Sequence, residues 1–192
     1  MSRYKDTELL KETLNICRSG SYAAGDRHVQ LHFTKEELRQ VQVFLPEDVR
    51  KIREDKSFPH AFTMGRTGVG CQNTDSFSRA RYLSTASYLF NKHGKKDRVL
   101  VLNLANPYHP GGGVRNGAKA QEEDLCRNSS LLLSLESCDA EAYYSYNKNL
   151  HSDMGSDAMM ISPNVDIIRD ESGNLLGTPV AASVLTCAAP IL

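Results

Sequence analysis

The 192-residue sequence lacks the features that mark several common classes of protein. It has no tryptophan, and its 23 basic residues are balanced by 23 acidic residues. The zero formal charge excludes strong nonspecific attraction to nucleic acid or to an anionic membrane surface. No apolar run reaches the ~18–20 residues that cross a bilayer, and the first residues lack the apolar core of a signal peptide. We therefore expect a cytoplasmic protein with no membrane partner and no sequence-specific nucleic-acid partner.

Cysteine is scarce and is not arranged for crosslinks or for zinc. The five cysteines are Cys17, Cys71, Cys126, Cys138 and Cys187. Their number is odd and no Cys-x-x-Cys pair occurs, which argues against a disulfide framework and against a cysteine-type zinc site. His28 and His32 lie four residues apart on a predicted strand, with no acidic residue between them. We expect free thiols, no metal ion and no cofactor.

Alternating helical and strand patterns predict an α/β fold. Helices are predicted over 4–18, 35–43, 46–53, 76–92 and 118–136, and strands over 27–33, 60–64, 98–104, 158–162, 165–169 and 180–189. Thr34 and Glu37 have the spacing of a capping box, which favours the start of a helix there. The apolar run 98–104 predicts a central strand that is buried on both faces.

A glycine-rich loop follows this apolar strand. Gly111, Gly112 and Gly113 stand between the strand and the next predicted helix, and α/β sheets bind ligands beyond the carboxyl ends of their strands. Consecutive glycines let the backbone approach a phosphate or a ribose. A Walker A motif is excluded because Ala118 stands where its lysine belongs, and Asn116 breaks the dinucleotide fingerprint. A plain surface turn is the alternative.

Two adjacent carboxylates open the predicted helix after this loop. Gln121, Glu122 and Glu123 lie in its first turns, where acidic residues commonly serve only as partners of the helix dipole. Two crowded negative charges also raise the proton affinity of one of them. A carboxyl group that stays protonated near neutral pH can act as a general acid toward a glycosidic bond.

The order of these motifs resembles the signature of the poly(ADP-ribose) glycohydrolases. Gly111-Gly112-Gly113 is followed after seven residues by Gln121-Glu122-Glu123, and the flanks 102–106 and 124–131 resemble the bacterial-type branch. Weaker similarities occur at 12–14, 20–22, 73–76, 160–165, 169–170 and 187–190. The resemblance implies a macrodomain-like mixed sheet flanked by helices. It also implies an N-terminal helical extension over 1–56 and a catalytic domain over 57–192 that lacks the C-terminal part of the family's domain.

The resemblance also implies roles for individual residues. Glu123 becomes the catalytic acid and Glu122 holds the hydroxyls of the scissile ribose. The implied substrate-binding residues are Asn106 at the same ribose, Gly111, Gly112, Gly113 and Val114 through the loop backbone, Gln121, and Asp75 at the adenine. Because the loop is expected to lie outside the core, Gly112→Val is expected to abolish ligand binding at little cost in stability.

The implied reaction is hydrolysis of the ribose–ribose O-glycosidic bond of poly(ADP-ribose), which releases ADP-ribose. Polymer or ADP-ribosylated proteins are the implied partners. Adjacent helix residues cannot flank one sugar as the usual pair of glycosidase carboxylates does, so a single acid/base is favoured. The alternatives are a weak or non-catalytic ADP-ribose-binding macrodomain, since the family's second phosphate loop is absent, and a fragment without a stable function.

Overall fold

Helices alternate with strands along residues 3–55, 69–90, 99–150 and 155–188, which are described by the computed structural model. The helices are α1 (Arg3–Ser19), α2 (Pro46–Glu54), α3 (Ser76–Phe90), α4 (Gln121–Asn128), α5 (Leu131–Leu135) and α6 (Glu141–Leu150). The strands are β1 (Ser21–Ala24), β2 (Arg27–Gln30), β3 (Gln42–Phe44), β4 (Leu100–Ala105), β5 (Met159–Arg169) and β6 (Leu175–Ala188). Short 3-10 turns occur at Glu37–Arg39, Val114–Asn116 and Cys138–Ala140.

Four of these strands form a mixed sheet in the order β3-β5-β6-β4. β5 is antiparallel to both β3 and β6, whereas β4 runs parallel to β6. β1 and β2 form a separate antiparallel hairpin. The expected α/β class, with a mixed sheet flanked by helices, is confirmed.

The main core lies between the helices and one face of the sheet. Its buried side chains include Leu10 and Leu14 of α1, Phe77 of α3, Val101 of β4, Leu125 of α4, Leu131 and Leu132 of α5, Tyr143 and Tyr144 of α6, Met160, Val165 and Ile167 of β5, and Val184 of β6. Each large side chain that is fully buried stabilises the fold by about 1.5–3 kcal/mol. α1 therefore shares its core with the sheet. The predicted division between 1–56 and 57–192 falls at the edge of the described ranges and stays a prediction.

β4 departs from its prediction. Leu100, Leu102 and Leu104 are 57%, 47% and 50% exposed, whereas Val101 and Ala105 are buried. The prediction of a strand buried on both faces is therefore wrong. β4 stands at the end of the strand order, and no element of the described ranges covers its outer face.

The predicted helix over 118–136 is two helices. α4 ends at Asn128 and α5 begins at Leu131, because Ser129 and Ser130 leave the helical path and bond to the sheet. The Ser130 N–H donates to the Asp166 carbonyl at 3.0 Å, and the Ser130 hydroxyl accepts the Asp166 N–H at 2.9 Å. Serine hydroxyls compete in this way with the helical hydrogen bonds of the backbone.

Two further predictions are wrong in their boundaries. The segments 158–162 and 165–169 form the single strand β5, whose register shifts at a bulge between Ser162 and Val165. The predicted helix over 35–43 shrinks to one 3-10 turn, although Thr34 and Glu37 do exchange the two hydrogen bonds of a capping box.

The remaining predictions of helices and strands are confirmed in full or in part. Helices 4–18, 46–53 and 76–92 are confirmed by α1, α2 and α3, except for residues 91–92, which lie outside the described ranges. The predicted strand 60–64 also lies outside them. Strand 27–33 is shorter than predicted, and strand 180–189 begins earlier, at Leu175, with residue 189 outside the described ranges. β1, β3 and α6 were not predicted. None of the described helices has the length and apolarity needed to span a membrane.

Candidate active site

The site begins where the chain leaves β4. The Asn106 side-chain oxygen accepts the backbone N–H groups of Tyr108 and His109 at 2.8 and 2.9 Å. Such a side-chain-to-backbone turn takes the place of a backbone turn. Asn106 therefore fixes the direction in which the chain enters the glycine loop.

The three glycines of the loop are required by its own packing. Gly111 and Gly112 have φ values of +68° and +55°, which side chains rarely adopt. A Cβ atom on Gly111 would lie 2.7 Å from Leu132, and one on Gly112 would lie 2.6 Å from Glu123 Oε1. A Cβ atom on Gly113 would lie 2.8 Å from Ala118. The loop is thus no free surface turn, and the expectation that Gly112→Val costs little stability is wrong.

The backbone donors of the loop are engaged within the protein. The Gly112 N–H donates to the His109 carbonyl at 3.0 Å, and the Val114 N–H donates to the Gly111 carbonyl at 3.1 Å. The Gly113 N–H donates to Glu123 Oε1 at 2.9 Å. The expectation that these residues offer free N–H groups to a ligand finds no support here, because each of the three already has an acceptor.

Glu122 and Glu123 lie at the start of α4, beneath this loop. They are 3% and 7% exposed. Glu123 accepts the Gly113 N–H on one oxygen and the Ala120 N–H, at 3.0 Å, on the other. Glu122 Oε2 accepts the Asn106 N–H at 2.8 Å. Glu122 therefore holds the residue that follows β4, whereas Glu123 connects the last glycine of the loop to the residue that precedes α4.

The two acids differ in their electrostatic surroundings. Burial, to which the charge of Glu123 adds, raises the pKa of Glu122 from 4.5 to about 7, and the hydrogen bond from the Asn106 N–H acts in the opposite direction. One carboxyl of the pair is thus shifted upward as predicted, although burial is the larger cause and the shifted group is Glu122. Burial also raises the pKa of the neighbouring Cys126 thiol well above its usual range, which disfavours a thiolate nucleophile.

Gln121 completes the row of three polar residues at the start of α4. Its Oε1 accepts the Leu104 N–H at 2.8 Å, and its Nε2 donates to the Leu102 carbonyl at 2.9 Å. Nε2 also donates to Ser76 Oγ at 3.2 Å. The Gln121 amide is therefore engaged with β4 and with the start of α3.

Comparison with known families shows to which family the chain belongs. The chain matches the model of the microbial-type PARG (poly(ADP-ribose) glycohydrolase) catalytic domain over residues 10–170. The chain belongs to this family. The resemblance read from the glycine loop and the acids is thereby confirmed. A comparison with curated proteins found no match.

Solved PARG structures share the fold. The enzyme of Thermomonospora curvata, bound to the inhibitor ADP-HPD, is 29% identical with a TM-score of 0.81, over 97% of this chain and 63% of its own. The enzyme of Deinococcus radiodurans, in complex with ADP-ribose, is 34% identical with a TM-score of 0.66, over 81% of this chain and 57% of its own. The present chain thus spans less than two thirds of the length of either PARG chain.

Asn103 is a site residue to which the resemblance to the PARG signature assigned no role. It is fully buried on β4, where its Nδ2 donates to Thr186 Oγ1 at 3.2 Å. A hydrogen bond from its side chain also favours the ionised form of Glu122. An amide in the middle of an apolar strand is the signal that could have found it, because a buried polar group needs a partner.

Asp75 lies apart from the loop. It stands immediately before α3, and its Oδ1 accepts the Ser78 N–H at 2.8 Å, as a helix-capping residue does. With Gln121 and Asp124 it lines a groove of about 530 Å³ between α1, α3 and α4. Neither Glu122 nor Glu123 lines this groove, and the contact of Asp75 with adenine stays a prediction. Among the described residues, no group of histidine, cysteine or acidic side chains is arranged to hold a metal ion.

Proposed function

We propose that this chain hydrolyses the ribose–ribose O-glycosidic bond of poly(ADP-ribose) and releases ADP-ribose. The observation that carries the proposal is the buried pair Glu122 and Glu123, held directly beneath the Gly111–Gly113 loop in a chain of the PARG family. The ADP-ribose and the inhibitor in the solved PARG structures support a ligand of this class. Polymer and ADP-ribosylated proteins are the proposed partners, and the cytoplasm is the proposed location.

Glu123 is the proposed general acid and base. Its carboxylic acid donates a proton to the oxygen that links the two riboses, and the bond from this oxygen to the anomeric carbon breaks with both electrons moving to the oxygen. Water then bonds to the anomeric carbon and returns a proton to the Glu123 carboxylate. Each Glu123 oxygen accepts one backbone N–H and keeps a second lone pair for this proton.

The surroundings of the two acids support this division of roles. Both acids contact the glycine loop, Glu123 through the Gly113 N–H and Glu122 through the backbone of Gly111, and the charge of Glu122 also acts on the buried Tyr144. In the proposal, Glu122 holds the ribose hydroxyls. Burial favours its protonated form, which can donate a hydrogen bond as well as accept one. The other proposed ligand contacts are Asn106, Gly111, Gly112, Gly113, Val114 and Asp75.

A second candidate function is weak ADP-ribose binding with no turnover. The weakness is favoured by the backbone donors of Gly112, Gly113 and Val114, all of which are engaged within the protein. A diphosphate would then have to displace these hydrogen bonds or find other donors. Since a charge-assisted hydrogen bond contributes about 1.5–3 kcal/mol, such competition weakens binding.

Two amide variants and one control test the assignment. Glu123→Gln keeps the shape of the side chain and should lower release of ADP-ribose from polymer by about 10²–10⁴-fold, with ADP-ribose affinity retained. Glu47→Gln, on the surface of α2, should leave both unchanged. Loss of turnover in Glu122→Gln but not in Glu123→Gln would reverse the two roles. A chain that binds ADP-ribose and releases none would favour the second candidate, and no binding would exclude both.

A further inference from the structure

Gln121 lies against the edge of β4 that faces away from β6. Within the described ranges β4 pairs with β6 alone, and the Val99 carbonyl accepts the Ser183 N–H on the β6 side. Peptide groups alternate in direction along a strand, so the Leu102 carbonyl and the Leu104 N–H point away from β6. These are the two groups that the Gln121 amide bonds, at 2.9 and 2.8 Å.

The Gln121 side chain makes the same pair of hydrogen bonds with β4 that a residue of a neighbouring parallel strand would make. In a parallel ladder, one residue donates its N–H to a carbonyl of the neighbouring strand and accepts the N–H found two residues further along that strand. The side-chain amide of Gln121 does the same with Leu102 and Leu104. It thereby satisfies edge groups that would otherwise be open to water or to another chain.

The contact sets the place of α4. Gln121 is the first residue of this helix and directly precedes Glu122 and Glu123. Its third hydrogen bond, to Ser76 Oγ, connects the same amide to the start of α3. One side chain thus fixes the beginning of α4 against two other elements, immediately before both acids.

We propose that Gln121 is a positioning residue that holds the two acids at the end of β4, and that it does not contact the ligand. The proposal rests on the assignment of Glu122 and Glu123 as the site of hydrolysis. It departs from the substrate-binding role that the family resemblance implies for Gln121. Both ends of the amide are used within the protein, so a ligand contact would break one of these bonds.

The test compares Gln121→Leu, which keeps the bulk but removes the amide, with Ser76→Ala, which removes only the longest of the three bonds. Hydrogen exchange of the Leu104 amide, followed by NMR, should become about tenfold faster or more in Gln121→Leu and stay unchanged in Ser76→Ala. Turnover should fall about 10–100-fold in Gln121→Leu, because small displacements of a catalytic group have effects of this size. ADP-ribose affinity should remain within about threefold, less than 1 kcal/mol.

The outcomes separate the positioning role from the proposed function. The proposal is overturned if hydrogen exchange of the Leu104 amide is unchanged in Gln121→Leu. It is also overturned if Gln121→Leu loses ADP-ribose affinity and turnover equally, because a residue that contacts the ligand would behave in this way. If the parent chain releases no ADP-ribose, the proposed hydrolysis fails. The positioning role is then decided by Leu104 exchange and by the carboxyl titration of Glu122, which should move in Gln121→Leu toward its ordinary midpoint of 4.5. An unmoved titration overturns it.

Discussion

The backbone N–H of Gly113 donates a 2.9 Å hydrogen bond to Glu123, so the last glycine of the loop and the second acid of α4 are held as one unit. The Ala120 N–H occupies the other Glu123 oxygen. Loop and helix thereby position each other before any ligand binds. A substitution in the loop should accordingly displace the acids, and a substitution of Glu123 should displace the loop.

Replacement of Gly112 by alanine should destabilise the fold. The residue has a φ of +55°, and its new Cβ would lie 2.6 Å from Glu123 Oε1. A left-handed backbone alone costs about 1–2 kcal/mol for a residue with a side chain. We expect the free energy of unfolding to fall by about 2 kcal/mol or more, measured by chemical denaturation.

Gly177→Ala is the matched control, because nothing lies within 4 Å of the added Cβ on this β6 glycine. Its unfolding free energy should stay within about 0.5 kcal/mol of the parent. Equal stability of Gly112→Ala and Gly177→Ala would mean that the loop adapts and that its close approach to Glu123 carries no weight.

A second prediction concerns the two faces of β4. Leu100 is 57% exposed and the adjacent Val101 is 6% exposed. Val101→Ala should lower the unfolding free energy by about 1–2 kcal/mol, because it leaves a cavity in the core. Leu100→Ala removes more atoms but should cost less than Val101→Ala. Thermal and denaturant unfolding of the two variants side by side would show whether the order is reversed.

β4 also shows which properties of a strand can be predicted from the sequence. The apolar run 98–104 indicated a strand, and β4 confirms it, because local composition sets this preference. Its burial could not be read in the same way. Whether a strand lies inside a sheet or at its edge depends on partners from distant segments, here β6 on one side and the Gln121 side chain on the other.

The site was partly predictable for a similar reason. The order of glycines and acids placed Glu122 and Glu123 at a helix start beyond a strand, as α4 has them. Their electrostatics depend on tertiary burial, so crowding alone could not show that Glu122 is the shifted carboxyl. The break at Ser129 was missed because its bridge to Ile167 joins residues far apart in the chain.

A third prediction concerns the buried carboxylate of Asp166 on β5. It accepts the backbone N–H of His32 at 2.9 Å, contacts the His32 ring nitrogen at 2.6 Å and accepts the Phe33 N–H at 3.4 Å. Asp166→Ala removes the buried acceptor of these contacts, and a hydrogen bond to a charged group contributes about 1.5–3 kcal/mol, less at the exposed His32. The unfolding free energy should fall by about 3 kcal/mol, whereas Asp157→Ala, at an exposed position, should change it little. A small loss in Asp166→Ala would mean that water replaces the carboxylate.

The last prediction is a pH dependence that arises from Glu122. Below pH 4.5 this carboxyl is protonated in both the folded and the unfolded chain, so its burial as an ion costs nothing. As the pH rises toward about 7, the unfolded chain releases the proton first, and the folded state loses stability relative to it. Above pH 7 the full difference between a pKa of 4.5 and one of about 7 applies, which corresponds to at most about 3.4 kcal/mol.

Glu122→Gln removes this titration but keeps an oxygen that can accept the Asn106 N–H. The variant should therefore be more stable than the parent chain at pH 8, by up to about 3.4 kcal/mol, and the difference should shrink toward pH 4. Denaturant unfolding at several pH values measures it, with the exposed Glu47→Gln as the control that shows no such gain. A parent chain and a Glu122→Gln variant whose stabilities differ by the same amount at pH 4 and pH 8 would show that Glu122 titrates at its ordinary pKa. In that case its burial would not bias it toward the protonated form that the proposed role at the ribose uses.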